Sequence, residues 1–186
     1  GDLSIDKTET GVVSIALNLP SVENLHNIDV FDFPIERYVD DFKGAVLATF
    51  SPPCTEFSSL KDAEDKRLAI EELTTSVDCF IPMLRIIEQA KTPCVLIENV
   101  KQFATSTACL LVEKRLQAMG YKTYKIVLGG KKTNSFTMRE RCFLFASALP
   151  VDFGFPEAVP HTADLWKSCI EPYINQGMQP CTATSV

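Results

Sequence analysis

Residues 45–54 read AVLATFSPPC. The first six are uncharged and rich in apolar side chains, as a strand buried in a sheet requires. Proline fixes φ and has no N–H to give a ladder, so Pro52-Pro53 should stop that strand at a stiff corner. Cys54 then stands on the corner, just past the carboxyl end of the strand.

The neighbouring segments decide what kind of sheet this is. Upstream, DLSI (2–5) reads as a strand, TETGVVSIAL (8–17) as a short helix ahead of Pro20, and NIDVFDF (27–33) as a strand with its exit loop. Downstream, Leu73, Val77, Phe80, Ile81, Leu84 and Ile87 recur at helical spacing and predict one buried face on a helix over 62–90. Pro82 should kink or divide that helix. PCVLIENV (93–100) is a further apolar strand, and TACLLVEKRLQAMG (107–120) is a helix closed by Gly120. KTYKIVLGG (122–130) and RCFLFAS (141–147) supply the last strands.

Apolar strands alternating with helices predict an α/β fold with a mostly parallel sheet and helices on both faces. Ligands of such folds collect at the carboxyl ends of strands. Cys54, Glu98 and Asn99 all fall at such ends and should share one sheet edge.

With 186 residues, 46% of them hydrophobic and 23% charged, the chain suits a single globular domain. No window approaches the ~20 apolar residues of a membrane-spanning helix. The opening GDLSIDKTET lacks the basic-then-apolar pattern of a secretion signal. The 7 cysteines (54, 79, 94, 109, 142, 169 and 181) are odd in number and none are paired as CxxC. That argues against a zinc site and a disulfide framework, and for reduced thiols in a cytoplasm. Those in PCVLIE, TACLLV and RCFLFA read as small buried hydrophobes.

The net charge of −6 is unevenly spread. Residues 101–141 carry 9 Lys/Arg against Glu113 and Glu140, a local +7. Such a segment can face a polyanion, or can simply be a solvated helix and loop.

Three segments now stand in order: SPPCTEFS after one strand, IENV (97–100) at the end of another, and TMRERCFLFA (137–146) leading into a third. Together they resemble the cytosine-5 DNA methyltransferase family. That family carries a Pro-Cys loop with an aromatic-Ser pair, then Glu-Asn-Val, then Gln-x-Arg-x-Arg before a strand. The resemblance covers roughly residues 2–170 and implies a Rossmann-like S-adenosylmethionine-dependent fold, incomplete at its N-terminus.

It also implies roles. Cys54 would be the thiolate that adds to carbon 6 of a cytosine flipped out of double-stranded DNA. Pro53 would hold the loop rigid. Glu98 would pair with the amino group and ring nitrogen 3 of the base, working best when partly buried. Asn99 would brace the Pro-Cys loop. Arg139 and Arg141 would clamp the base and the loop, and the basic 101–141 segment would hold phosphates. For the cofactor, S-adenosylmethionine, the resemblance points to Asp6, Asp29, Val30, Ser51 and Pro53.

The departures are specific. No Phe-x-Gly-x-Gly turn follows a first strand, and DFGF (152–155) lies in the wrong place. Ser4 stands where the family puts an acid for the ribose, with Asp6 two residues on. Thr137 replaces the usual Gln and Phe136 the usual Pro. Residues 1–150 would be a partial catalytic core, and 151–186, with FPEAVPHTADLW, an extension toward an absent target-recognition domain. The chain is then a fragment, one subunit of a split enzyme, or a non-catalytic relative that binds nucleic acid or protein. A homodimer or complementary subunit would cover the strand left exposed. A methyltransferase acting on RNA is a third reading.

Overall fold

The computed structural model describes residues 2–42, 44–54, 78–133, 139–151, 154 and 171. They divide into two compact units, one of residues 1–128 with 140–154, the other of 129–139 with 155–186.

In the first unit, β1 (Asp2–Asp6) pairs in parallel with β2 (Val22–Asn27) across the helix α1 (Glu9–Asn18). The start of α1 is a chain of local hydrogen bonds. The Asp6 Oδ1 atom accepts from the Thr8 N–H and from Thr8 Oγ1, each at 2.7 Å. Thr8 Oγ1 in turn accepts from Gly11 N at 3.2 Å and caps the helix. A side chain at Gly11 would not fit this arrangement, because its Cβ would lie 2.3 Å from Asp6 Oδ2.

The strand expected at 27–33 lies earlier, at Val22–Asn27. The reason is Asp29. Its carboxylate accepts from Phe31 N at 3.1 Å and its carbonyl from Asp32 N at 3.0 Å. That turn ends the extended run before Phe31 and Phe33.

Beyond α2 (Ile35–Tyr38) and a 3-10 turn (Val39–Phe42), four strands form the larger sheet: β3 (Leu47–Phe50), β4 (Cys94–Val100), β5 (Lys122–Leu128) and β6 (Arg141–Ser147). Their spatial order is β3-β4-β6-β5. β3 and β4 run parallel, and β6 is antiparallel to both β4 and β5. The helices α3 (Phe80–Ala90) and α4 (Thr107–Ala118) lead into β4 and β5. Gly120, at φ +94°, takes the left-handed conformation that closes α4, as its position predicts.

One face of β4 is sealed. Val95, Ile97 and Asn99 are buried, alternating with half-buried Cys94, Leu96, Glu98 and Val100. Val95 and Ile97 pack with Leu144 and Ala146 of β6, Met83 and Ile87 of α3, and Val112 and Leu116 of α4. A second, smaller cluster of Phe33, Ile35 and Ile86 receives Leu3, Ile5 and Phe50.

Pro82 lies in the first turn of α3, and the helical run is broken at Cys79 just before it, as the proline predicts. One expectation for the helix needs correction. Ile81 is 64% exposed, because the buried stripe runs through Phe80, Met83 and Ile87 and turns Ile81 outward. Leu73 and Val77 lie outside the described residues. The apolar run at 45–50 is also not wholly covered: Val46 and Leu47 are 64% and 49% exposed, since β3 is an edge strand. Cys79, Cys109 and Cys142 are buried, while Cys54 and Cys94 are partly so, and all five are free thiols.

Candidate active site

The site is built on the carboxyl end of β4 and the loop that follows β3. The parallel register places Phe50 opposite Ile97, so the chain leaving β3 through Ser51 and Pro52 runs beside Glu98 and Asn99. Asn99 is buried and its Nδ2 donates to the Pro52 carbonyl at 3.3 Å. Its Oδ1 accepts from Val100 N at 2.8 Å, which fixes which end of the amide faces the loop. A buried side chain of β4 thus holds the proline corner that carries Cys54. Cys54 itself is half-buried, accessible to a reagent without being solvent-borne.

Glu98 points the other way from the pleat, to the half-buried face. Its direct partner on β6 is Phe143, and Arg141 lies two residues along on the same face. That diagonal is within reach of a long side chain, and Arg141 Nε sits 2.8 Å from Glu98 Oε1. Both side chains keep some solvent contact, 21% for Arg141 and 32% for Glu98. The guanidinium is further anchored by donating to the Glu140 carbonyl at 2.9 Å, and Glu140 pairs with Lys101 at 2.8 Å. An oriented carboxylate is therefore presented beside the loop of a partly exposed thiol.

The residues assigned to the cofactor also meet. Asp6, Asp29, Val30, Ser51 and Pro53 all line one cleft of about 1490 Å³ in the first unit. They come from the ends of β1, β2 and β3, which is where an α/β fold gathers ligands. The donor set suits a ligand with hydroxyl and amino groups, since Asp6 and Asp29 offer carboxylate acceptors over an apolar floor that includes Ile28 and Val30. Lys7 pairs with Asp29 at 3.8 Å and holds one of those carboxylates, a contact that no local pattern announces.

Arg139 is exposed and belongs to the second unit. Phe136 and Thr137 lie outside the described residues. The basic segment is less free than its charge implies. Lys101, Arg115, Lys125 and Arg141 are engaged by Glu140, Glu88, Glu113 and Glu98 respectively.

The family model for C-5 cytosine-specific DNA methylase matches residues 18–161. A comparison with curated proteins finds no match. Among solved structures, the chain is similar to the Entamoeba histolytica methyltransferase EhMeth at 16% identity and a TM-score of 0.66, over 86% of this chain and 49% of that one. The S. pombe Dnmt2 methyltransferase aligns at 19% identity and a TM-score of 0.61, over 89% and 45%. Spodoptera frugiperda DNMT2 aligns at 21% identity and a TM-score of 0.62, over 83% and 44%. The chain spans about half the length of these structures. Their shared architecture is the Rossmann-like methyltransferase fold, in agreement with the α/β expectation. With the match covering most of its length, the chain belongs to the C-5 cytosine-specific DNA methylase family.

Proposed function

We propose that this domain methylates carbon 5 of a cytosine flipped out of double-stranded DNA, with Cys54 as the covalent nucleophile. The observation that carries the reading is the end of β4, where consecutive residues do two jobs. Asn99 holds the Pro52 carbonyl of the thiol's loop, and Glu98 stands as an oriented carboxylate against Arg141.

In this reading the Cys54 thiolate forms a bond to carbon 6, and the electron pair of the 5,6 double bond moves onto carbon 5. Glu98 accepts from the amino group with one oxygen and shares a proton with ring nitrogen 3 through the other, and that proton draws density from carbon 6 as the sulfur approaches. Arg141 keeps that carboxylate aimed. The rigid Pro52-Pro53 corner keeps the sulfur within attack distance and lowers the entropy lost on reaction. Once that pair has bonded to a methyl group, loss of the carbon 5 proton to water would restore the 5,6 double bond and expel the thiolate. S-adenosylmethionine, when bound, supplies an electrophilic methyl group. Asp6, Asp29, Val30, Ser51 and Pro53 are the residues of this chain that would hold it. By the family resemblance Arg139 would clamp the base, and residues 151–186 would lead toward a target-reading segment.

The test is a covalent trap. The chain is mixed with S-adenosylmethionine and a duplex containing 5-fluorocytosine, and the adduct is located by mass spectrometry. An adduct on Cys54 that disappears in Cys54→Ser supports the reading. No adduct with duplex DNA overturns it, and an adduct with an RNA hairpin alone reassigns the substrate to RNA.

A further inference from the structure

The last rung of the β4–β6 ladder pairs Val100 with Arg141. One step beyond it on each strand stand Lys101 and Glu140, and Lys101 Nζ donates to Glu140 Oε2 at 2.8 Å. Both strands end here. Lys101 opens the 3-10 turn Lys101–Thr105, which carries the chain off the sheet. Glu140 is the first residue of the first unit after the chain has left it at 129–139. Strand ends of this kind fray unless something closes them.

What the pair fastens is part of the site. Arg141 Nη1 donates to the Glu140 carbonyl at 2.9 Å, and Arg141 Nε meets Glu98 Oε1 at 2.8 Å. A guanidinium is a flat, rigid fork, so two contacts fix its plane. One of the two is a main-chain oxygen, and its direction follows the Glu140 backbone. Held by Lys101, that backbone aims Arg141, and Arg141 aims the carboxylate.

We propose that Lys101 and Glu140 are positioning residues for the reaction, an ion pair outside the site that sets the direction of the Glu98 carboxylate through Arg141. Lys101 serves in this way and not as a ligand for DNA phosphate. The inference rests on the methyl-transfer reading. Charge argues against the phosphate role. Glu140 lies 2.8 Å from the ammonium, so a phosphate brought to Lys101 would meet a carboxylate at the same place. Glu98, Lys101, Glu140 and Arg141 form two ion pairs and sum to no net charge, which leaves no local excess for a polyanion. The outer pair is also open to water, 55% exposed at Lys101 and 48% at Glu140, and such pairs add little to stability. Its contribution is to geometry, where a small displacement of a reacting group is costly.

The test uses the 186-residue chain and the 5-fluorocytosine duplex, with Lys101→Met, Glu140→Gln and the exchanged pair Lys101→Glu with Glu140→Lys. Each single variant should form the Cys54 adduct about threefold to tenfold more slowly at saturating duplex, with the half-saturating duplex concentration unchanged. The exchanged pair should return the rate to within about twofold of the wild type. A raised half-saturating concentration with an unchanged saturated rate makes Lys101 a phosphate ligand and overturns the proposal. An exchanged pair no faster than the single variants overturns it too.

A second readout needs no reaction. In 15N-labelled chain without DNA, exchange of the Arg141 Nε–H proton with water should quicken by about tenfold in Lys101→Met and slow again in the exchanged pair. Equal exchange in the wild type and both variants overturns the positioning role whatever the adduct does. Quickened exchange together with a wild type that forms no adduct supports the hold on Arg141 and overturns the methyl-transfer reading instead.

Discussion

Asn99 Nδ2 donates to the Pro52 carbonyl at 3.3 Å, joining the end of one strand to the corner that follows its parallel neighbour. Replacing it with alanine leaves that carbonyl without this donor and frees the loop. Asn99→Ala should destabilise the chain by about 1–3 kcal/mol in urea unfolding. It should also slow formation of the Cys54 adduct by about 10- to 100-fold through loop disorder alone. A slowed adduct without any stability loss would separate Asn99 from the loop's rigidity.

Glu98→Gln keeps the size of the side chain and removes its charge. Because the ion pair with Arg141 is partly open to solvent, stability should change by less than about 1 kcal/mol. Adduct formation should fall by about 10²- to 10⁴-fold. Arg141→Lys keeps the charge but loses the fixed plane of the guanidinium, so it should rescue the reaction only in part. Single-turnover trapping measures both rates, and urea unfolding the stability.

Gly11→Ala would ordinarily help a helix by about 1 kcal/mol. Here the new methyl meets Asp6 Oδ2 at 2.3 Å and Thr8 Oγ1 at 2.7 Å. Thermal unfolding should therefore show a loss instead of a gain. In an Asp6→Ala background the loss should shrink, since the clash with the carboxylate goes while that with Thr8 Oγ1 remains. That coupling is readable in a double-mutant cycle.

The Asp6 carboxyl is held below its ordinary 3.8 by the Thr8 hydroxyl and then by the Thr8 N–H, both of which favour the charged form. A lowered folded-state value means the contribution is present above pH 3.8 and is lost as the pH falls through the folded value. The wild type should thus be more stable than Asp6→Asn at neutral pH, and the two melting temperatures should converge in strong acid.

Thiol chemistry should separate the cysteines. Burial pushes Cys109 up to about 12, against the opposing pull of Lys125, and Cys142 up to about 11. Both should resist iodoacetamide at pH 8 in the folded chain, whereas half-exposed Cys54 should be alkylated. Peptide mapping after brief labelling reads the order directly. Labelling of Cys109 at the rate of Cys54 would contradict the packing around α4.

Much of this was legible from the chain because its signals are local. Apolar runs placed β3, β4, β5 and β6, and Gly120 placed the end of α4. β2 was misplaced because VENLHN is polar and does not look like a strand, while Ile28 and Val30 beyond it do. Its pairing with β1, not its composition, makes it extended. The brace by Asn99 followed from the family resemblance. The Glu98–Arg141 diagonal was hidden, because residues 43 apart in sequence meet only through the β4–β6 register. The same holds for Arg115–Glu88 and Lys7–Asp29, which cancel charges that look free in a linear count.

The pleat of β4 has a consequence for how such a chain can change over time. Glu98 and Asn99 serve opposite faces only because they are adjacent, so deleting or inserting one residue between Cys94 and Glu98 would exchange their directions. The carboxylate would be driven into the sealed interior and the amide out to the pocket. Length variation upstream of this pair can therefore be inherited only in steps of two, or with a bulge that restores the parity.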